Sequence, residues 1–486
     1  MDGTTTVITF ADVCGATLFR PMEALPSIFR SLFSAGGAAV VGGLIGWMAG
    51  TACGMFRFPS RALLLGVLSL PLMIPAFLWA IGLSMLRTSA GWGDGVPFSG
   101  WSGCIWVQGL SCAGLAMWAA VLSLRGVSRS QAWAAMLAGG NAALWRTSLR
   151  SAFPAALAAA MAGGMLALGD SGPGLVLGWR TAAGEILTAF SARYDYQEAL
   201  LWCLWLALAA GLVFVPWAVR STTALVAAVT ARDSGESWER PPLHSLWPGM
   251  GSTVVMIPVL LPLSGLLLPL LQNQPWARAW EELLRTGWNT LIYAGGAGFL
   301  AVMAAWPLAI LASRNLTGKR LLTVLLVVAL AVPAILPALL WMQGTGAAPP
   351  WLDWLTRSRG AVCLVLALRF LPVTCLLALR RWTALPPSWR MAAQVHGVPW
   401  PEYAWRVLWP HQWPGILLAA ALTALLSAGE IGILLLLHPP GESSLPLAIF
   451  TIMANAPESL AAALCVVYLL AALPPVLLIL LLNHRR

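Results

Sequence analysis

The chain has 486 residues, of which 59% are hydrophobic and only 9% are charged, and its mean hydropathy is +0.79. A soluble protein carries about a quarter charged residues, so this composition excludes a soluble globular protein and predicts an all-α polytopic membrane protein embedded in a lipid bilayer. The net charge of +10 does not indicate nucleic-acid binding, because the arginines are spread over the loops between apolar runs.

Residues 1–30 form an N-terminal segment without the features of a signal peptide, since they contain acidic residues and never build a full apolar core. About eleven apolar runs follow, each close to the roughly 20 residues that a membrane helix needs. The predicted spans lie near residues 33–55, 62–85, 105–124, 155–178, 198–218, 253–271, 289–312, 321–342, 360–379, 415–437 and 460–482.

Glycines in the first predicted span recur at every fourth position, at Gly42, Gly46, Gly50 and Gly54. On a helix they share one face, which predicts a close approach of a neighbouring helix; the alternative is a surface that slides during function. The eight cysteines have no CxxC spacing and lie mostly in apolar runs, so they indicate packing residues without a disulfide or metal framework.

The loops predict both the orientation and the division of the chain. If the N-terminus is outside and the C-terminus is cytoplasmic, more Lys and Arg residues fall in the cytoplasmic loops than in the outer loops. This is the distribution that the positive-inside rule requires. The polar segment 220–252 then links a first half, residues 31–219, to a second half, residues 253–486. With an odd number of spans, the first half lacks an opening helix that the second half has.

A sequence repeat supports this division, because residues 131–172 align with residues 391–432 without a gap. Such a repeat indicates two copies of one structural unit. The alignment pairs three polar or glycine-containing sets and one proline, which are Trp145-Arg146 with Trp405-Arg406, Pro154 with Pro414, Gly169-Asp170 with Gly429-Glu430, and Gly172 with Gly432.

The second copy resembles the cytoplasmic "EAA" loop of ABC-importer permeases. Its matching residues are Ala392, Ala393, Gly397 and Pro410, while Met391 stands where the family has glutamate. The first copy is less similar: Gln131 stands at the glutamate position, Ala132 is retained, and Leu137 replaces the glycine. Prolines in the spans before the loops, and the Gly-Asp/Glu-x-Gly sequences after them, resemble the fused two-half permeases of ferric-iron and thiamine importers.

This resemblance implies a type I importer fold with two pseudo-symmetric halves, in which each loop docks on a separate ATPase subunit. It implies two copies of that subunit, which bind ATP and Mg²⁺, and a periplasmic binding protein that delivers ferric iron, thiamine or a similar small solute. The chain itself is then not an enzyme and holds no cofactor; its only lysine, Lys319, is not in a phosphate-binding loop. The expected docking residues are Gln131, Ala132, Trp145, Arg146, Met391, Ala392, Ala393, Gly397, Trp405, Arg406 and Pro410.

Three ionisable residues fall in or beside predicted spans: Asp170, Glu430 and Arg369. Each acid follows its proline by roughly 24 Å of helix, which predicts a position towards the outer end of the pathway. They either line a gate or solute path, or simply end their helices at glycine-rich turns. Arg369 is expected to pair with an acid or with a freed backbone carbonyl.

Of two other classes of protein, the first remains as an alternative and the second is rejected. An ion-gradient-driven secondary transporter would place carboxylates near the middle of the bilayer. A membrane protease is suggested only by Gly169-Asp170-Ser171-Gly172, and the second copy of this sequence has Ile431 in place of the serine.

Overall fold

The computed structural model describes residues 21–91, 98–230, 247–346 and 358–484 of the chain. These ranges are helical and contain no strand, as the sequence predicts. Six of their helices are long and apolar enough to cross a membrane, or up to nine if each of three bent helix pairs is one span. The count of eleven spans stays a prediction.

The helices of the first group all lie before residue 231. Its bounds are α1 Pro21–Met55, α2 Arg61–Met73, α3 Ala76–Ser89, α4 Gly100–Leu124, α5 Arg129–Leu168, α6 Gly172–Leu177, α7 Ala182–Ser191, α8 Tyr196–Val213, α9 Val215–Arg220 and α10 Thr222–Thr230.

The second group begins at residue 247. Its bounds are α11 Trp247–Gln272, α12 Trp276–Ala312, α13 Leu316–Ala331, α14 Leu336–Gly346, α15 Arg359–Thr383, α16 Pro387–Val395, α17 Trp400–Tyr403, α18 Trp409–Ala428, α19 Ile431–Leu437, α20 Leu445–Asn455 and α21 Glu458–His484, with a π-helical turn at Ala404–Leu408 between α17 and α18.

Three spans that the hydropathy pattern draws as continuous are in fact bent pairs of helices. α2 and α3 meet at 102°, α13 and α14 at 82°, and the helix ending at Ala428 meets α19 at 70°. Pro75 and Pro333 stand at the first two breaks. A proline lacks the N–H that would continue the helix and forces its predecessor into extended backbone, which is observed at Ile74 and Val332.

Two of the expected segment boundaries do not coincide with helix ends. α1 begins at Pro21, so the end of the N-terminal segment 1–30 belongs to the first helix, while residues 1–20 lie outside the described ranges. The linker 220–252 is also partly helical: α10 packs on α4 and α5, and α11 has begun by residue 247. The centre of that linker, residues 231–246, lies outside the description.

The glycine face of α1 packs directly on α4. A Cβ added to Gly46 would meet the backbone oxygen of Ala113, and one added to Gly42 would meet that of Gly109. The two helices therefore approach to backbone contact along this face, as the spacing predicts. A similar contact joins α3 to α11, where a Cβ on Gly265 would meet the backbone oxygen of Gly82. The main core consequently combines residues from early and late parts of the sequence.

Candidate functional site

Arg369 is a buried charge near the middle of the 25-residue helix α15, and only 6% of it is exposed. Its Nη1 donates a hydrogen bond of 2.7 Å to the backbone oxygen of Val332. That oxygen lies at the end of α13, where Pro333 interrupts the helix and leaves carbonyls without helical donors. Of the two partners expected for Arg369, the structure thus provides the freed carbonyl.

Asp170 and Glu430 occupy equivalent places at the ends of their helices. Each follows a C-terminal glycine, Gly169 of α5 or Gly429 of α18; Glu430 directly precedes the short helix α19, and Asp170 lies two residues before the short helix α6. The Oδ1 of Asp170 accepts a 2.9 Å hydrogen bond from the backbone N–H of Gly172. The N-terminus of a helix favours a negative charge. Each carboxylate therefore stabilises the turn into the following short helix, as well as placing a charge there.

Helix breaks that are far apart in the sequence pack against each other. A Cβ on Gly429 would lie 2.7 Å from Pro75, and a Cβ on Gly169 would lie 3.2 Å from the backbone nitrogen of Ala334. The break after each repeated loop therefore packs against the break of a bent pair from the other part of the chain. Arg369 belongs to the same junction, because its Nη2 would lie 3.2 Å from that Cβ on Gly169.

A cavity of about 170 Å³ opens at this junction and is lined by Asp170, Arg369 and Glu430. Sequence reasoning missed another lining residue, Gln108 of α4, which is 3% exposed. Its Nε2 donates a 3.0 Å hydrogen bond to the backbone oxygen of Ala167 near the end of α5. The available signal was an amide side chain inside an apolar span, which is costly unless it has a partner or a function.

The depth expected for the two acids in the membrane stays a prediction. The spacing from the prolines indicates the outer end of the pathway, but the carboxylates share a cavity with Arg369, which lies near the middle of its helix. The chain continues past each acid into another short helix, α6 or α19.

The first repeated loop is partly built into the body of the protein. Residues 129–168 form one helix, broken only at Gly139-Gly140, where Gly140 has φ of 61°. Gln131 closes a capping box with Ser128 at the start of α5. Ala132 is buried at 3% exposure, and the Trp145 ring lies 6.0 Å from the ring of Phe56, whereas Arg146 is exposed.

These positions change the interpretation of the first loop. Ala132 cannot contact a partner directly because it is buried in the core. Leu137, which stands at the position of the family's glycine, is helical and 87% exposed. The left-handed backbone of the first loop is supplied by Gly140, three residues later.

The second repeated loop is largely exposed, although Tyr403 and Leu408 within it are buried. α16 has no buried residue, and Met391 and Ala392 on it are exposed, as is Pro410 at the start of α18, while Ala393 is half-buried. Gly397 turns the chain after α16 with φ of 64°, and open space surrounds it. Trp405 is 70% exposed and stacks on Trp409 with 6.2 Å between ring centroids.

Arg406 is exposed as well, and its Nη1 lies 3.2 Å from Glu402 one turn earlier. The second loop therefore presents a surface of tryptophan and arginine side chains, which are the types enriched at interface hot spots. In the aligned pairs Trp145-Arg146 and Trp405-Arg406 the tryptophans differ in exposure, since Trp145 is half-buried and Trp405 exposed, whereas both arginines are exposed.

The structure thus brings together Asp170, Arg369 and Glu430, the three residues expected to line a pathway or gate, at one cavity. In the described ranges, no three His, Cys, Asp or Glu residues are grouped so that they could hold a metal ion. No family model matches the sequence, and no curated protein matches it.

Proposed function

We propose that this chain is the permease subunit of an ABC importer in a bacterial inner membrane, where it forms the solute pathway. Two copies of a separate ATPase subunit, which bind ATP and Mg²⁺, dock on the two repeated loops. The observation that carries the proposal is the segment from α16 to the π-helical turn. It has the residue pattern of the family's docking loop, and α16, which opens it, has no buried residue.

The order of helices supports a two-half permease. A long helix (α1), a bent pair (α2–α3), a span (α4), a loop-bearing helix (α5) and three shorter or terminal helices (α6–α8) recur as α12, α13–α14, α15, α16–α18 and α19–α21. α11 is the helix of the second half without a described counterpart in the first. Counting α11 and α21, which are 26 and 27 residues long, together with the nine spans would give the expected eleven.

The proposed pathway runs between the halves through the junction of helix breaks. The N-terminus is outside and the C-terminus cytoplasmic, so that both loops face the ATPases and a periplasmic binding protein delivers a small solute to the opposite face. Closure of the ATPases on ATP would push the loops together. The junction supports this role because breaks from both parts of the chain meet there, so relative movement of the halves would open or close its cavity.

Co-expression with single ABC ATPase subunits cloned from the same genome tests the proposal. We expect one of them to co-purify and its ATP hydrolysis to depend on the second loop. Arg406→Glu should weaken docking by about 2 kcal/mol or more, roughly thirtyfold in affinity. Arg146→Glu should have a smaller effect, because the first loop is partly buried.

The controls separate docking from folding. Arg314→Glu reverses another exposed charge on the expected cytoplasmic side and should leave ATP hydrolysis unchanged. Gly397→Ala and Gly441→Ala both force a side chain into left-handed backbone with open space around it, at φ of 64° and 82°. Only Gly397→Ala should impair coupling; equal losses in both variants, or no co-purifying ATPase, would contradict the proposal.

A secondary transporter is the second candidate, and the cavity's charged lining beside the middle of α15 favours it. Broken helices with polar groups at their junction are typical of ion-coupled transporters. Proteoliposomes that contain this chain alone distinguish the two functions. Solute uptake driven by an imposed proton gradient would support the second candidate and reject the first.

A further inference from the structure

The cavity at the junction has walls of two different kinds. Most of its wall is apolar and comes from the helix breaks and their neighbours, including Pro71, Leu72 and Leu426. The polar part consists of Asp170, Glu430, Arg369 and Gln108. An occupant must therefore combine apolar surface with a group that the polar residues recognise.

Charge balance selects the sign of that group. Two carboxylates and one guanidinium leave one negative charge when all are ionised, and a buried net charge is costly. No ion pair of 4.0 Å or less joins Arg369 to either acid in the described ranges, where five such pairs occur elsewhere. The acids are thus available to a cation in the cavity, whereas an anion would add to the excess negative charge.

Unpartnered polar atoms give independent evidence for an occupant. The Oε1 of Gln108 and the Nε of Arg369 are both buried and have no hydrogen-bond partner among the described residues. Both residues are more than nine-tenths buried and line the cavity. Buried polar atoms normally have partners, so these atoms indicate a site built for a group that hydrogen-bonds there. The amide oxygen can accept only from a donor, which a hydroxyl or an ammonium supplies.

A bare metal ion fits the site poorly. The cavity offers two carboxylates, but Arg369 beside them repels a multivalent cation, and no third His, Cys, Asp or Glu completes a ligand group in the described part of the chain. Ferric iron as a free ion would need a richer set of anionic ligands. A monovalent organic cation needs only one excess negative charge and also uses the apolar wall.

We propose that the cavity between the helix breaks binds a small organic cation with a single positive charge and a hydrogen-bond donor, held by Asp170, Glu430 and Gln108. This proposal rests on the proposed transport function and names the class of solute that its pathway accepts. The apolar wall covers the body of the solute, and the carboxylates neutralise its charge.

Choline and its neutral carbon isostere dimethylbutanol test the proposal, because they share a shape and a hydroxyl group and differ in charge. Binding to the purified full chain in detergent is measured by titration calorimetry at constant ionic strength, with sodium chloride as the inorganic cation. We expect choline to bind about tenfold or more tightly than the isostere, since a charged hydrogen-bonding or ionic contact is lost in the latter. Equal binding of the two, or displacement of choline by an equal concentration of sodium, would overturn the organic-cation assignment.

Variants then locate the binding. Asp170→Asn removes a charge but keeps the oxygen that accepts from Gly172, and Glu430→Gln removes the other charge. Each should weaken choline binding about tenfold or more, whereas Glu281→Gln, an exposed acid on α12, should not. Unchanged binding in both cavity variants would show that choline lies elsewhere and would reject the site. Because this measurement needs no ATPase, its failure together with an intact effect of Arg406→Glu would reject only the solute class.

Discussion

At the scale of single residues, the best-defined charge pair in the described ranges joins α15 to the loop after α19. The Nε and Nη2 of Arg359 donate to the two carboxylate oxygens of Glu442 at 2.7 Å each, and the hydroxyl of Tyr293 on α12 lies 3.3 Å from the same carboxylate. A bidentate guanidinium–carboxylate pair fixes geometry as well as charge. It therefore holds three segments of the chain together.

The first prediction concerns the pH dependence of this pair. The hydrogen bonds from Arg359 lower the pKa of Glu442 below its ordinary value. Because the pKa is lowered in the folded protein, the stabilisation is complete above the unfolded pKa, about 4.3, and is lost as the pH falls through the folded value. Glu442→Gln should therefore lower the melting temperature at pH 7, and the difference from the native chain should disappear below the folded pKa.

Thermal unfolding of the detergent-purified chain between pH 7 and about 3 checks this expectation. Glu281→Gln serves as the control because it removes an exposed carboxylate that lies on α12 with no ion pair described for it. A difference between Glu442→Gln and the native chain that stays constant over the whole pH range would contradict the assignment.

At the scale of elements, the contact of α1 with α4 gives the second prediction. A Cβ on Gly46 would meet the backbone of α4 at Ala113 and Met117, which cannot move aside as a flexible side chain can. Gly46→Ala should destabilise the protein by about 1–3 kcal/mol, the usual cost of overpacking. Gly36→Ala is a matched control on the same helix with open space around it, and it should stabilise by roughly 0.5–1 kcal/mol.

Denaturant titration of the two variants measures both effects. Opposite signs are expected, because the same substitution relieves the entropy cost of glycine in both cases but clashes in only one. If both variants were stabilised, α1 and α4 would not lie in backbone contact, and the interpretation of the glycine face as a sliding surface would regain support.

The elements themselves were largely predictable from the sequence, but their junctions were not. Apolar runs of sufficient length located the spans, and Pro75 and Pro333 marked two of the breaks, because both signals depend on local chemistry. The contact of Gly429 with Pro75 joins segments far apart in the sequence, and no periodicity encodes it. The same limit applies to Gln108, whose role depends on a cavity formed by other helices.

The two repeated loops also show what the sequence alone does not predict. Their sequences align without a gap, yet one is fused into α5 and the other begins as a separate helix, α16. Alignment could not reveal that Ala132 is buried while Ala392 is exposed, since the difference arises from what packs beneath each loop. Exposure, which the structure supplies, decides which loop is accessible to a partner.

At the scale of the whole molecule, the arrangement of spans predicts which surfaces share a side of the membrane. Gln394 lies on α16 and Gln274 lies between α11 and α12, and both side chains are exposed. In the proposed topology three spans separate them: α12, the α13–α14 pair and α15. An odd number of crossings places the two residues on opposite sides, with Gln394 in the cytoplasm.

Cysteine labelling checks this topology with little background, because the seven cysteines in the described ranges are all buried. In a chain that carries Cys14→Ser, Gln274→Cys should react with a membrane-impermeant maleimide in intact cells. Gln394→Cys should react only in inverted vesicles. Labelling of both from one face would mean that the number of crossings between them is even, and the bent pair α13–α14 would then enter and leave the membrane on the same side. The two repeated loops would then lie on opposite faces of the membrane, and two ATPase subunits could not dock on one face.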